Sequence, residues 1–97
     1  LERPADWLRV ANAELSSVPA PRRELALRVA IGRVLLDGAQ RPHGSDPRDA
    51  IGHYERVVEL DPSHAEAVEI LVRHYQRERR PADVARVLES HLRCLDE

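Results

Sequence analysis

Five segments of this chain carry apolar residues at three- and four-residue steps, the period of one face of a helix. In the first, from about Pro4 to Leu15, the stripe is Trp7, Leu8, Ala11 and Leu15. From roughly Arg23 to Gly38 it is Leu27, Ala30, Ile31, Val34 and Leu35. Pro47 to Leu60 aligns Ala50, Ile51, Tyr54, Val57 and Val58, and His64 to Glu78 aligns Val68, Leu71, Val72 and Tyr75. The last segment, Pro81 to Leu95, brings together Val84, Val87, Leu88, His91, Leu92 and Leu95. None of them alternates as a half-buried strand does, so the pattern predicts an all-α protein of about five helices.

The punctuation agrees. Pro4, Pro47 and Pro81 open segments, where a missing N–H costs nothing. Asp46 and Ser63 are expected N-caps, because a short side-chain oxygen can accept from an orphan helix N–H. Glu69/Arg73 and Glu89/Arg93 have the favourable i, i+4 order for helical ion pairs.

The segments also repeat. Residues 80–92 and 3–15 share Arg, Pro, Ala and Asp, then Arg, Val and Leu, at matching positions. A third Pro-x-Asp opening occurs at Pro47, and Pro81 follows it by 34 residues. A fixed period of that size is expected of stacked helical hairpins.

With this period the chain resembles the tetratricopeptide repeat family. Ala50 and Tyr54 match its A-x3-aromatic element, and Val57-Val58-Glu59-Leu60-Asp61-Pro62 is similar to its helix ending and closing proline. Ile31-Gly32 with Leu35, and Leu71-Val72 with Tyr75, occupy its L-G-x2-Y site. Arg28 and Val68 stand where the family prefers Trp, and Val72 replaces its small residue. The resemblance implies antiparallel hairpins stacked in a right-handed solenoid. Residues 1–16 would be the second helix of a truncated or preceding repeat. Residues 23–62 would form a full repeat with an inserted loop at 39–45, and 63–97 a second repeat. Gly32 is expected at a close helix–helix approach, with Ala50, Tyr54, Val57, Leu71, Tyr75, Val84 and Leu88 buried. The opening at Leu1 without Met, and the half-hairpin there, are expected of a window from a longer array.

Composition narrows the function. The 97 residues carry a net charge of -2, fifteen basic residues that are all Arg, and 3% aromatics with no Phe or Met. Leu, Val, Ile and Ala must therefore build the core, and a dedicated nucleic-acid binder would be far more basic. The Lys-free, Ala- and Arg-rich usage fits coding DNA rich in G and C, and a bacterial source is expected. No apolar run is long enough for a membrane span and no signal-peptide pattern opens the chain, so a cytoplasmic location is expected.

Candidate chemistry is sparse. His91-x2-Cys94 places two ligand types one turn apart, only half of a zinc site, and no metal or other cofactor is expected. A nucleophilic Cys94 would have only His91 as local base, and no phosphate loop or nucleophile elbow is present, so no enzyme is expected. The run Arg77-Glu78-Arg79-Arg80 ends a predicted helix, where cations complement the dipole without any nucleic acid.

What remains is a surface. The family's first helices line a concave groove that binds segments of other proteins. Its register would put Ala26, Val29, Arg33, Leu36 and Asp37 in the groove from one repeat, and Glu66, Glu69, Arg73, Gln76 and Arg77 from the next. Arg33 and Arg73 then share one repeat position, forming a basic strip suited to a carboxylate or acidic segment. The competing reading is that Glu69 neutralises Arg73 and the strip is merely solvated. The expectation is a non-catalytic scaffold module that binds a protein or peptide, with no nucleic-acid or membrane partner. The alternatives are a regulatory helical segment of a larger enzyme or signalling protein, and a self-association module. Val87, Leu92 and Leu95 at one end and Trp7 at the other are expected to support a homodimer.

Overall fold

The computed structural model of the chain describes residues 4–37 and 46–96, and within them every regular element is a helix. The helices are α1 (Pro4–Ser16), α2 (Pro21–Leu36), α3 (Asp49–Leu60), α4 (Ala65–Arg77) and α5 (Pro81–Asp96). The expected insertion at 39–45 lies outside the described residues. Segments 17–20, 61–64 and 78–80 are connectors short enough to make sequential helices antiparallel neighbours. Each helix packs on the next, most extensively α2 on α3 and least so α1 on α2. The extents are 42 × 30 × 19 Å, a slab about two helix diameters thick. No helix among the described residues is long and apolar enough to cross a membrane.

The core follows the predicted stripes. Ile31 and Leu35 of α2 meet Ala50, Tyr54 and Val57 of α3, and Leu71 and Tyr75 of α4 continue the same cluster. Tyr54 and Tyr75 are both fully buried and are its largest side chains. A buried phenol needs a partner for its hydroxyl. Here the partners are reciprocal: Tyr75 of α4 donates to Glu55 of α3 at 2.7 Å, while Tyr54 of α3 reaches Glu66 of α4 at 3.4 Å.

Two expectations of burial need correction. Val84 is only partly covered and Leu88 is 39% exposed, whereas Val87 lies in the core. The apolar surface of α5 is broader than the single face that α4 covers. The expected cap Ser63 is also displaced by one residue. Its N–H and hydroxyl both go to the carboxylate of Asp61, and the cap of α4 is His64, whose Nδ1 accepts from the Ala67 N–H at 3.2 Å. Asp46 is not the cap of α3 either: the cap position is Arg48, without a side-chain bond, and Asp46 accepts from the Arg48 N–H at 2.9 Å in the turn before the helix.

Two helices end on non-glycine residues with φ of 56°, Val18 after α1 and Arg79 after α4. At the second end the Arg80 N–H reaches the Tyr75 carbonyl at 2.9 Å and the Arg79 N–H reaches Gln76. That pair of bonds is the Schellman pattern, which usually places glycine at the left-handed position. After Val18 the next residue is Pro19, which has no N–H to donate, so only the Val18 to Leu15 bond forms, at 3.1 Å.

Candidate functional site

The residues expected to line a groove come from α2 and α4, and the fold ties these helices together through α3. Gly32 of α2 lies directly on the Tyr54 ring: a Cβ there would come within 2.6 Å of Tyr54 Cε2. This is the predicted close approach. One residue on, Arg33 donates to both oxygens of Glu66 on α4, at 2.9 and 2.6 Å. Glu66 also receives the Tyr54 hydroxyl. Hydrogen bonding from Arg33, foremost, holds the Glu66 carboxyl below its ordinary range, while burial pushes the Tyr54 phenol up to about 12.

The expected basic strip is therefore partly neutralised. Arg33 is spoken for by Glu66, and Arg73 donates to Glu69 at 2.6 Å along the exposed side of α4. Both pairs are largely exposed, so each contributes no more than about 1 kcal/mol to stability. Arg77 differs. It has no ion pair among the described residues, and two surface depressions meet at its side chain. One, of about 530 Å³, is formed by Arg73, Gln76 and Arg77. The other, of about 190 Å³, runs between Arg77 and His74 of α4, Ile51 of α3, and Leu36 at the end of α2, with Pro47, Arg48 and Glu78 completing its rim. Leu36 is 43% exposed and gives this second depression an apolar wall.

Val29 corrects the expected lining. It is 6% exposed and belongs to the core, because α2 packs against neighbours over a wider arc than the repeat register implies. Ala26 is exposed as expected. Of the predicted residues, the fold brings Leu36, Arg73, Gln76 and Arg77 to one surface, with Glu69 and Glu66 engaged by arginines beside it.

A larger cleft of about 570 Å³ lies elsewhere, between α1, α2 and α3, with Leu8, Ile31 and Leu35 below and Arg28, Asp49 and His53 around it. Sequence reasoning did not single it out. Its cation is already satisfied: Arg28 donates to Glu24 at 2.7 Å, and its other arm meets His53 Nδ1 at 3.2 Å. Since arginine can only donate, His53 Nδ1 accepts, and the neutral ring carries its proton on Nε2. Burial, then the Arg28 charge, lowers the His53 pKa below 6.5. Glu24 is shared with Arg56 at 2.9 Å, and these two arginines, Arg56 first, keep its carboxyl below the ordinary range. The one available signal was Arg28 itself, a charged residue at the family's Trp position.

Of the two residues weighed for metal and thiol chemistry, Cys94 is a free, half-buried thiol and His91 has a local partner. His91 Nδ1 lies 2.9 Å from the Pro62 carbonyl, so it donates and ties α5 to the connector before α4. Among the described residues no group of three His, Cys, Asp or Glu side chains is placed to hold a metal ion. Comparisons of the chain with protein-family models, with curated proteins and with solved structures give no match.

Proposed function

We propose that the chain is a non-catalytic interaction module of tetratricopeptide-like design, and that it holds an acidic segment of a partner protein against the joined surface of α2 and α4. The observation that carries this reading is Arg77. Its guanidinium has no ion pair among the described residues and stands between a depression formed with Arg73 and Gln76 and one walled by Leu36. Arg73 lies one turn before it, held only by the exposed Glu69. An incoming carboxylate can take Arg77 bidentately and compete for Arg73, while an adjacent apolar side chain covers Leu36. The other arginines of this region have stronger claims on them. Arg33 is clamped by Glu66 and serves the joint between the helices.

The test is titration of the 97-residue chain with acidic and charge-neutral peptides of equal length, followed by isothermal calorimetry and amide chemical shifts. Tighter binding of the acidic peptide, with shifts centred on Leu36, His74 and Arg77, supports the reading. Equal binding of both peptides, or shifts confined to other surfaces, contradicts it.

A further inference from the structure

Helix α5 carries a second apolar stripe that the fold leaves open. Its covered side is marked by Val84, Val87 and His91, with Val87 in the core and His91 bonded to the Pro62 carbonyl. About 100° round the helix, Pro81, Ala85, Leu88, Leu92 and Leu95 follow one another at steps of four, three, four and three residues. All five are exposed, Leu92 by 58% and Leu95 by 61%. No polar residue interrupts the stripe. A 3.5-residue spacing is the one along which two helices mesh over their whole length. A depression of about 500 Å³ beside Pro81, Val84, Ala85 and Leu88 continues the apolar surface at its N-terminal end.

We propose that this stripe is a self-association seam, filled by α5 of a second copy of the chain running antiparallel. The stripe is complementary to itself in that direction. With the two-fold axis level with Ser90, Ala85 faces Leu95 of the second copy and Leu88 faces Leu92. A small residue thus meets a large one in the outer layers, and two leucines meet in each inner layer. The rim agrees. Glu89 and Arg93 flank the stripe and, despite their i, i+4 spacing, make no ion pair among the described residues. Antiparallel pairing brings Arg93 of one copy within about 3 Å, along the axis, of Glu89 of the other. The two arginines then compensate the two carboxylates that share this rim. Helices of 16 residues are about 24 Å long and give less contact than the ~1,200 Å² at the low end of standard interfaces, so the dimer is a weak one, with a dissociation constant in the micromolar rather than the nanomolar range. The seam does not use Arg73 or Arg77, so its failure and that of the peptide groove are separate results.

The experiment is sedimentation velocity of the 97-residue chain from about 1 to 500 µM, a range that brackets an association of that strength. The parent mass should rise with concentration from 11.0 kDa toward twice that value. Leu88→Glu alone and Leu92→Arg alone should each weaken association by about 100-fold or more, since either buries an unpaired charge in the seam. Both positions are exposed in the single chain, so circular dichroism should show parental helicity in each variant. An equimolar mixture of the two variants should dimerise again, because only the antiparallel register places the introduced carboxylate opposite the introduced guanidinium. A parent that stays at 11.0 kDa throughout, or a Leu88→Glu variant that associates as the parent does, overturns the seam. A mixture that fails to associate overturns the antiparallel occupant.

Discussion

Gly32 and Tyr54 occupy the same space in the sense that matters for packing: a Cβ on Gly32 would stand 2.6 Å from one ring carbon of Tyr54 and 2.7 Å from another. The ring is fully buried and cannot swing away. Replacing Gly32 with Leu should therefore destabilise the fold by about 1–3 kcal/mol, and Gly32→Ala should lose stability despite its better helix propensity. Gly52 is the internal control. It also lies inside a helix, yet a Cβ there meets nothing within 4 Å, so Gly52→Ala should stabilise by about 0.5–1 kcal/mol. Urea unfolding of the three variants measures both signs. Tyr54→Leu combined with Gly32→Ala should cost less than the sum of the single changes, because the clash partner is gone.

Helix ends offer a second gain. Val18 and Arg79 adopt a left-handed conformation that costs a residue with a Cβ roughly 1–2 kcal/mol. Arg79→Gly should raise stability by up to about 1 kcal/mol, since the Schellman bonds around it use only backbone atoms. Val18→Gly should do at least as well, as valine is β-branched and its side chain is 87% exposed. Thermal melts that fall for both variants would show that these side chains stabilise the turns in some other way.

Stability should depend on pH at both ends of the range. The fold favours neutral His53, so the unfolded chain takes up that proton first. The His53 contribution is complete above pH 6.5 and declines as pH falls through the imidazole range. Tyr54 and Tyr75 act in the opposite direction. Their pKa values rise from 10.0 to about 12, chiefly through burial, so their contribution is intact below pH 10 and is lost as pH climbs toward 12. Denaturant midpoints taken against pH should fall on both sides, and His53→Gln should flatten only the upper part of the acid limb, leaving the loss that comes as Glu24 and Glu66 take up protons.

The arginines should separate stability from binding. Arg33→Ala removes the clamp between α2 and α4 and should cost up to about 1 kcal/mol in unfolding free energy, the pair being largely exposed. Arg77→Ala removes no ion pair among the described residues and should move stability by less than about 0.5 kcal/mol. A peptide that occupies the groove should reverse this order, losing more affinity from Arg77→Ala than from Arg33→Ala.

Local pattern predicted what local physics decides. The five helices and the Glu69–Arg73 pair follow from spacing within single helices, and the Gly32 contact from the repeat resemblance. The clamp from Arg33 to Glu66 spans 33 positions, and nothing near either residue announces the other. Leu88 was misplaced because α5 is apolar over two adjacent stripes, and periodicity cannot say which one α4 covers. Ser63 lost the cap to His64 because Asp61 captures both of its donors, a competition that cap preferences alone do not reveal. Which of the expected groove arginines are already paired depended on one partner in another helix, Glu66 for Arg33, and on one a single turn away, Glu69 for Arg73.

The measurement that bears most directly on the proposed function is selection of binding peptides from an unbiased displayed library by the 97-residue chain, repeated with an Arg73→Ala/Arg77→Ala double variant. The parent should enrich acidic segments with a neighbouring apolar residue. Their affinity should weaken as salt shortens the screening length from ~10 Å at 0.1 M toward ~3 Å at 1 M, and should drop about tenfold or more in the double variant. Enriched peptides without an acidic bias, bound equally well by the double variant and indifferent to salt, would contradict the account.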